Sequence, residues 1–205
     1  MEDHPPVMRH LVKSITHLRL LGALCVAAAL APSAAEAACG DQASRQVFSR
    51  FGDLNWYYPA PGGTFEPGVV GWTHTGSGIV PGNETYFINA SSDRQSLKLP
   101  AGASALSPAF CVSAEHPTMR MMARKLSGSA GTLKVEIVYS GGTKVAGSVV
   151  NSGQYVAWRP TQQFDLATAL ALTGTTTSVS VRLRLRADTA GPWGVDDVFV
   201  DPYRR

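Results

Sequence analysis

Helical periodicity is almost absent from this chain beyond residue 40, where apolar residues do not recur at the three-and-four spacing of an amphipathic helix. Long apolar runs are scarce too. The run at residues 20–30 is too short to cross a bilayer, and no later segment approaches one, so no membrane span is expected. Excess charge of one sign is lacking: 18 Lys and Arg stand against 15 Asp and Glu. A net of +3 is too mild to argue for nucleic acid. The chain has no Gly-x-Ser-x-Gly elbow, no HExxH, no phosphate loop and no Cys-x-x-Cys pair. His74 lies near Ser77, His116 precedes Pro117, and Glu66 and Glu115 are two carboxylates, but separation in space is what makes a catalytic pair. No enzyme is expected.

Cysteine is nearly missing as well, with three in the chain. Residues 1–37 have the pattern of a secretory signal peptide. His10, Lys13, His17 and Arg19 are basic, residues 20–30 are apolar, and Ala35-Glu36-Ala37 is a small-x-small cleavage site. Met8 is an alternative start, since the acidic stretch before it is unusual in such a leader. Lipidation of Cys39 is disfavoured by the charge of Glu36. Cleavage leaves 168 residues, enough for one domain with a substantial core, and a secreted product. Cys25 goes with the leader. Cys39 and Cys111 remain, and in an oxidising compartment a disulfide between them is the expectation. A zinc site is not, because only His74 and His116 survive and neither has ligand spacing to a cysteine.

What is present is short runs of Val, Ile, Leu, Thr and aromatics cut by Gly, Pro, Asn and Ser. Strands are expected at 63–66, 69–75, 86–89, 96–99, 105–112, 118–125, 133–139, 144–150, 155–159, 179–186 and 193–201. Residues 164–172 suit one short helix or a loop. So many short strands predict an all-β fold, a two-sheet antiparallel β-sandwich of the jelly-roll kind. The sandwich is placed at 63–205, with 38–62 as an aromatic arm packed on it. Val179, Val181, Leu183 and Leu185 alternate with Ser180, Arg182, Arg184 and Arg186, so the arginines face outward.

Two surface candidates follow. Trp56-Tyr57-Tyr58-Pro59 cannot all point inward and is the best candidate for an exposed aromatic cluster. Ring faces cover the apolar C–H faces of sugars; the plainer reading is an arm stapled to the sandwich. Arg182, Arg184 and Arg186, joined by Arg120 and Arg124 on a neighbouring strand, suit an acidic glycan. The plainer reading there is a solvated face pairing with Glu136.

The end of the chain is less ordinary. In GPWGVDDVFVDP, Asp196 and Asp197 sit side by side in an apolar strand. Alternation puts Trp193, Val195, Asp197 and Phe199 on one face and Gly194, Asp196, Val198 and Val200 on the other. Both faces are apolar, so at least one carboxylate is buried and needs a cation, a metal or several hydrogen bonds.

Three segments in order carry a resemblance: GGTFEPGVVGW at 62–72, DRQSLKLP at 93–100 and GPWGVDDVFVDP at 191–202. They resemble jelly-roll, galactose-binding-like domains of secreted carbohydrate-binding modules. Most of residues 39–203 is similar to a set of secreted bacterial proteins that share the FE…GW start and the W-x-x-DDV-x-VDP end. The resemblance implies non-catalytic binding of extracellular glycan or cell-wall polysaccharide by a monomer. It also implies a structural calcium between first and last strands. Glu66 and one of Asp196 or Asp197 would be its side-chain ligands, with backbone carbonyls near Gly63 and Asp93 completing the shell. The alternative is that Glu66 and the Asp pair cap backbone amides or pair with an arginine. The same superfold also serves structural and protein-binding roles, the rival to a glycan site.

Overall fold

Runs in which apolar side chains alternate with polar ones give strands with one apolar face, and two such sheets bury those faces on each other. The computed structural model describes residues 39, 42–68, 71–128, 130–150, 153–175 and 177–201. The expected signal peptide lies outside the described residues. The arm carries β1 (Tyr58–Pro59), and after it come β2 (Thr73–Thr75), β3 (Gly78–Pro81) and β4 (Gln95–Leu99). Next are β5 (Ser104–Leu106), β6 (Phe110–Ser113), β7 (Thr118–Lys125), β8 (Thr132–Tyr139) and β9 (Gly142–Val150). Last come β10 (Arg159–Pro160), β11 (Phe164–Asp165), helix α1 (Thr168–Thr173), β12 (Ser178–Ala187) and β13 (Trp193–Asp201).

The first sheet runs β10-β7-β13-β4-β3, with β1 added to β13 and β11 to β7. The second runs β2-β5-β12-β8-β9, with β6 added to β12. The ladders are antiparallel, and the fold is the expected jelly-roll sandwich. Leu97, Met121, Leu133, Ile137, Leu183 and Trp193 are fully buried between the sheets. Each such side chain contributes roughly 1.5–3 kcal/mol by leaving water.

Four expected strands are absent, divided or displaced, among them 155–159, where Gln154–Val156 form a 3-10 turn after the left-handed Gly153 and only Arg159 enters a strand. Segments 63–66 and 86–89 are turns, because Phe65 and Phe87 adopt positive φ (57° and 51°), which no strand accommodates. The run 105–112 splits into β5 and β6 around Ser107-Pro108, where the Ser107 hydroxyl accepts the Leu183 N–H. β3 has no expected counterpart; its four residues begin with glycine and end with proline.

A smaller core lies on the outer side of the first sheet, where the arm folds over it. Phe48, Tyr57, Met122, Trp158 and Phe199 are buried together there. Phe48 meets Tyr57 and Phe199 edge-on at 5.0 and 5.7 Å. Arg45 and Tyr57 exchange two main-chain hydrogen bonds of 2.8 Å, and Arg120 ion-pairs with Asp53. Cys39 and Cys111 form the expected disulfide with Cα atoms 5.2 Å apart, fastening the arm to β6 of the other sheet.

This arrangement corrects two expectations. Tyr57 and Tyr58 are buried, and of the aromatic trio only Trp56 is exposed. Burial lifts the Tyr58 hydroxyl to about 12. The arm is the stapled one, since each inward ring removes apolar area from water. Arg120 and Arg124 do not extend the arginine row, because β12 is flanked by β5, β6 and β8, while β7 belongs to the other sheet. Arg120 lies over Phe48 of the arm and the exposed Arg124 over Trp158, each a cation–π contact on the first sheet's outer side.

Candidate functional site

The two neighbouring aspartates sit at a break in β13. Its pairing with β7 shifts register between Asp196 and Phe199, and Asp197 takes a left-handed φ of 50°. Aspartate tolerates that conformation better than most residues. The extra residue resets the alternation. Trp193 and Val195 face the main core, and so do Val198 and Val200, while Phe199 joins the outer cluster. The expected opposite-face placement of the pair is therefore wrong. Both carboxylates are fully buried and both reach the β3–β4 loop, residues 82–94.

That loop is held by carboxylates. Asp196 Oδ2 accepts the Glu84 N–H at 2.9 Å, and Asp197 Oδ2 accepts the Asn89 N–H at 3.3 Å. Glu84 itself accepts the Tyr86 N–H at 2.6 Å and the Ile88 N–H at 2.5 Å. Glu66 Oε1 accepts the N–H groups of Arg94 and Gln95 at 2.8 and 2.7 Å. Asp93 Oδ2 accepts from the Asn89 side-chain amide at 2.8 Å. Backbone groups buried away from water need such partners, and charge-assisted bonds to them are the stronger kind. Capping of main-chain amides, one of the two readings of the sequence, is thus realised.

Glu84 takes the place expected of Glu66. Glu66 stands at the far end of the loop, near enough to help push Asp197 up, but it grips Arg94 and Gln95. The Gly63 carbonyl accepts the Val198 N–H at 3.0 Å and belongs to the ladder around the bulge. Glu84 is hard to find in the sequence, since PGNETYFIN resembles an ordinary solvated loop.

The cluster is mostly acidic, with the Arg50 guanidinium acting on Glu84 alone of its carboxylates for which a shift is resolved. Among the described residues the ion pairs are Arg120–Asp53 and Arg184–Glu136, and neither touches it. Burial, then the charge of Asp197, raises Asp196 to about 9. Burial, then Glu84, raises Asp197 to about 8. Burial also lifts Glu84. Asp197 Oδ1 and Asn83 Oδ1 are buried without a hydrogen-bond partner. Hard carboxylate and amide oxygens are the kind of donor calcium takes. Among the described residues, however, no three His, Cys, Asp or Glu side chains stand in a ligating arrangement.

The arginine row lies on the outer face of the second sheet. Arg182 and Arg186 are exposed, whereas Arg184 bonds Glu136 at 3.3 Å. A groove of about 290 Å³ runs beside Arg182, walled by Leu106, Ala109, Val138, Tyr139 and Ser180.

Neither histidine is set up as a base. His74 Nδ1 is 3.0 Å from Ser77 Oγ, but that hydroxyl donates to the Ser104 carbonyl at 2.7 Å. His116 is buried against Ser113 Oγ at 2.7 Å.

No family model matches the chain, and no curated protein matches it. Solved structures do. The C-terminal family 6 carbohydrate-binding module of the laminarinase LamC from Zobellia galactanivorans aligns at 12% identity and a TM-score of 0.43. The alignment covers 63% of this chain and 90% of that one. A xylan-binding domain of family 22 aligns at 15% identity and a TM-score of 0.43, covering 75% and 99%. The K1 cleaved adhesin domain of Lys-gingipain from Porphyromonas gingivalis aligns at 13% and 0.43, covering 71% and 96%. At these values neither a ligand nor a residue role carries across.

Proposed function

We propose that this protein is a secreted, non-catalytic glycan-binding module whose basic sheet face takes acidic extracellular polysaccharide. One observation carries the reading. The arm's aromatic cluster covers the outer face of the first sheet, whereas on the second Arg182 and Arg186 are exposed without an ion-pair partner among the described residues. Guanidinium groups four residues apart on one strand stand roughly 13 Å apart, so they suit an extended polymer better than a single sugar. Each offers a planar fork that matches a carboxylate. The groove beside Arg182 supplies apolar wall and hydroxyls together. A disulfide between Cys39 and Cys111 supports an oxidising compartment.

The same reading includes a structural calcium. Asp196, Asp197, Glu84 and Asp93 would hold it, and its charge would neutralise carboxylates that otherwise repel. It is a staple for the loop and takes no part in chemistry.

The test is calorimetry with polygalacturonate against a neutral glucan, on wild type and on the Arg182→Ser/Arg186→Ser double variant. The double variant should bind polygalacturonate at least about tenfold more weakly, and wild-type binding should fall steeply with salt. Its melting temperature should hardly change, since both side chains are solvated. No binding of the anionic polymer, or equal binding by the variant, would sink this reading.

A further inference from the structure

We infer a second ligand site, on the first sheet at the β3–β4 loop, built to stack one neutral pyranose ring on Phe87. The loop borders a cavity of about 540 Å³, within the range of small-ligand sites, walled in part by Asn83, Thr85, Phe87, Ser91, Asp93 and Arg94.

Phe87 is the unusual residue. It is 45% exposed, although a phenyl ring is ordinarily buried, and its φ of 51° is in the left-handed region that bulky residues avoid. Both features have one cause. Tyr86 and Ile88, on either side, turn toward the arm and pack against its cluster. Tyr86 meets Phe51 edge-on at 5.0 Å and lies beneath the Arg50 guanidinium. Glu84 holds the N–H groups of both flanking residues. The middle ring is left projecting outward on strained backbone. Strain kept in place by surrounding structure collects at ligand clamps.

The loop is also rigid before any ligand arrives. Six of its own and adjoining N–H groups, from Glu84 to Gln95, end on carboxylates. A preformed aromatic platform loses little ordering entropy on binding. Around it stand the hydroxyls of Thr85 and Ser91. A sugar has the matching parts: an apolar C–H face for the ring and hydroxyls for the edge. The wall mixes signs: the carboxylates of Glu84 and Asp93 are buried, and the exposed Arg94 directs Nη1 to the Ser91 and Asp93 carbonyls. A wall with no single sign suits an uncharged ligand, with equatorial hydroxyls that leave the ring face bare. This site is separate from the basic face, which lies on the other sheet, and it does not depend on that face binding anything.

The probe is cellotetraose, followed by calorimetry and saturation-transfer NMR at fixed calcium. Phe87→Ala should weaken binding at least tenfold, and Phe87→Trp should retain it. Arg182→Ser/Arg186→Ser should leave cellotetraose binding unchanged while losing polygalacturonate. Phe87→Gly separates stacking from architecture, because glycine relieves the left-handed backbone. It should raise the melting temperature while losing the sugar. Absence of cellotetraose binding to the wild type would overturn the inference, and so would unchanged binding by Phe87→Gly.

Discussion

Consider the protein stripped of divalent cations by a chelator and melted at a series of pH values from about 5 to about 8. Asp196 and Asp197 hold their protons to about 9 and about 8 in the folded chain. In the unfolded chain each gives its proton up near 3.9. Between those values the native state binds more protons than the unfolded state, so raising the pH favours unfolding. The stabilising contribution of the protonated carboxyls is complete below about pH 4 and disappears as the pH passes the folded-state values. The slope is about 1.4 kcal/mol per pH unit for each carboxylate that differs. Across three pH units a single aspartate costs about 4 kcal/mol, a large part of a total of about 5–15. Calcium should remove this dependence, because it binds the ionised oxygens and only in the folded state. Asp196→Asn copies the protonated form. It should flatten the chelated profile by about one proton and blunt the response to calcium. Circular dichroism melts across the pH series, with and without calcium, make the measurement. If the chelated protein is as stable at the top of the range as at the bottom, and calcium does nothing, the argument from burial is refuted.

Two further outcomes concern the scaffold. Removing the disulfide with Cys39→Ala/Cys111→Ala opens a loop of sequence separation 72, and the chain-entropy relation gives a loss of about 4 kcal/mol in urea unfolding. A loss below about 1 kcal/mol would mean that the arm is held without it. Gly63→Ala would put a methyl 2.6 Å from the Val198 carbonyl oxygen and 3.0 Å from that of Ala60. Such crowding should cost about 1–3 kcal/mol, read as a lower melting temperature, and an unchanged melt would show that the bulge gives way.

The architecture was largely legible in the sequence because two strands state their faces plainly. Val181, Leu183 and Leu185 point inward and Arg182 and Arg186 outward, as alternation requires. The disulfide was legible by counting. The sequence pointed to Asp196, Asp197, Asp93 and Glu66, which gather at the β3–β4 loop, but not to the geometry that brings them there, and the reason lies in single residues. Period-two logic holds only while each residue advances the strand by one, and Asp197 at φ 50° breaks that rule in the middle of β13. Nothing in Trp193-Gly194-Val195-Asp196-Asp197 announces a bulge. Phe87 was hidden in the same way: Tyr-Phe-Ile favours a strand by propensity, and only its neighbours' contacts turn it outward. The arm aromatics misled for a different cause. A cluster of large rings signals that something is covered, but whether by protein or by ligand depends on tertiary placement, and here the arm turns Tyr57 inward with Phe48 and Phe199.

The position of β13 has a kinetic consequence. It is the last strand in the chain, yet it lies in the middle of the first sheet, between β7 and β4, and also carries β1 from the other end. Until residues 193–201 are available, β7 and β4 share no neighbour, the β3–β4 loop has no Asp196 or Asp197 to bind, and the arm has no Phe199 to cover. Completing the first sheet therefore requires closure between distant segments, which slows folding and leaves the edges of β7 and β4 open until β13 enters between them.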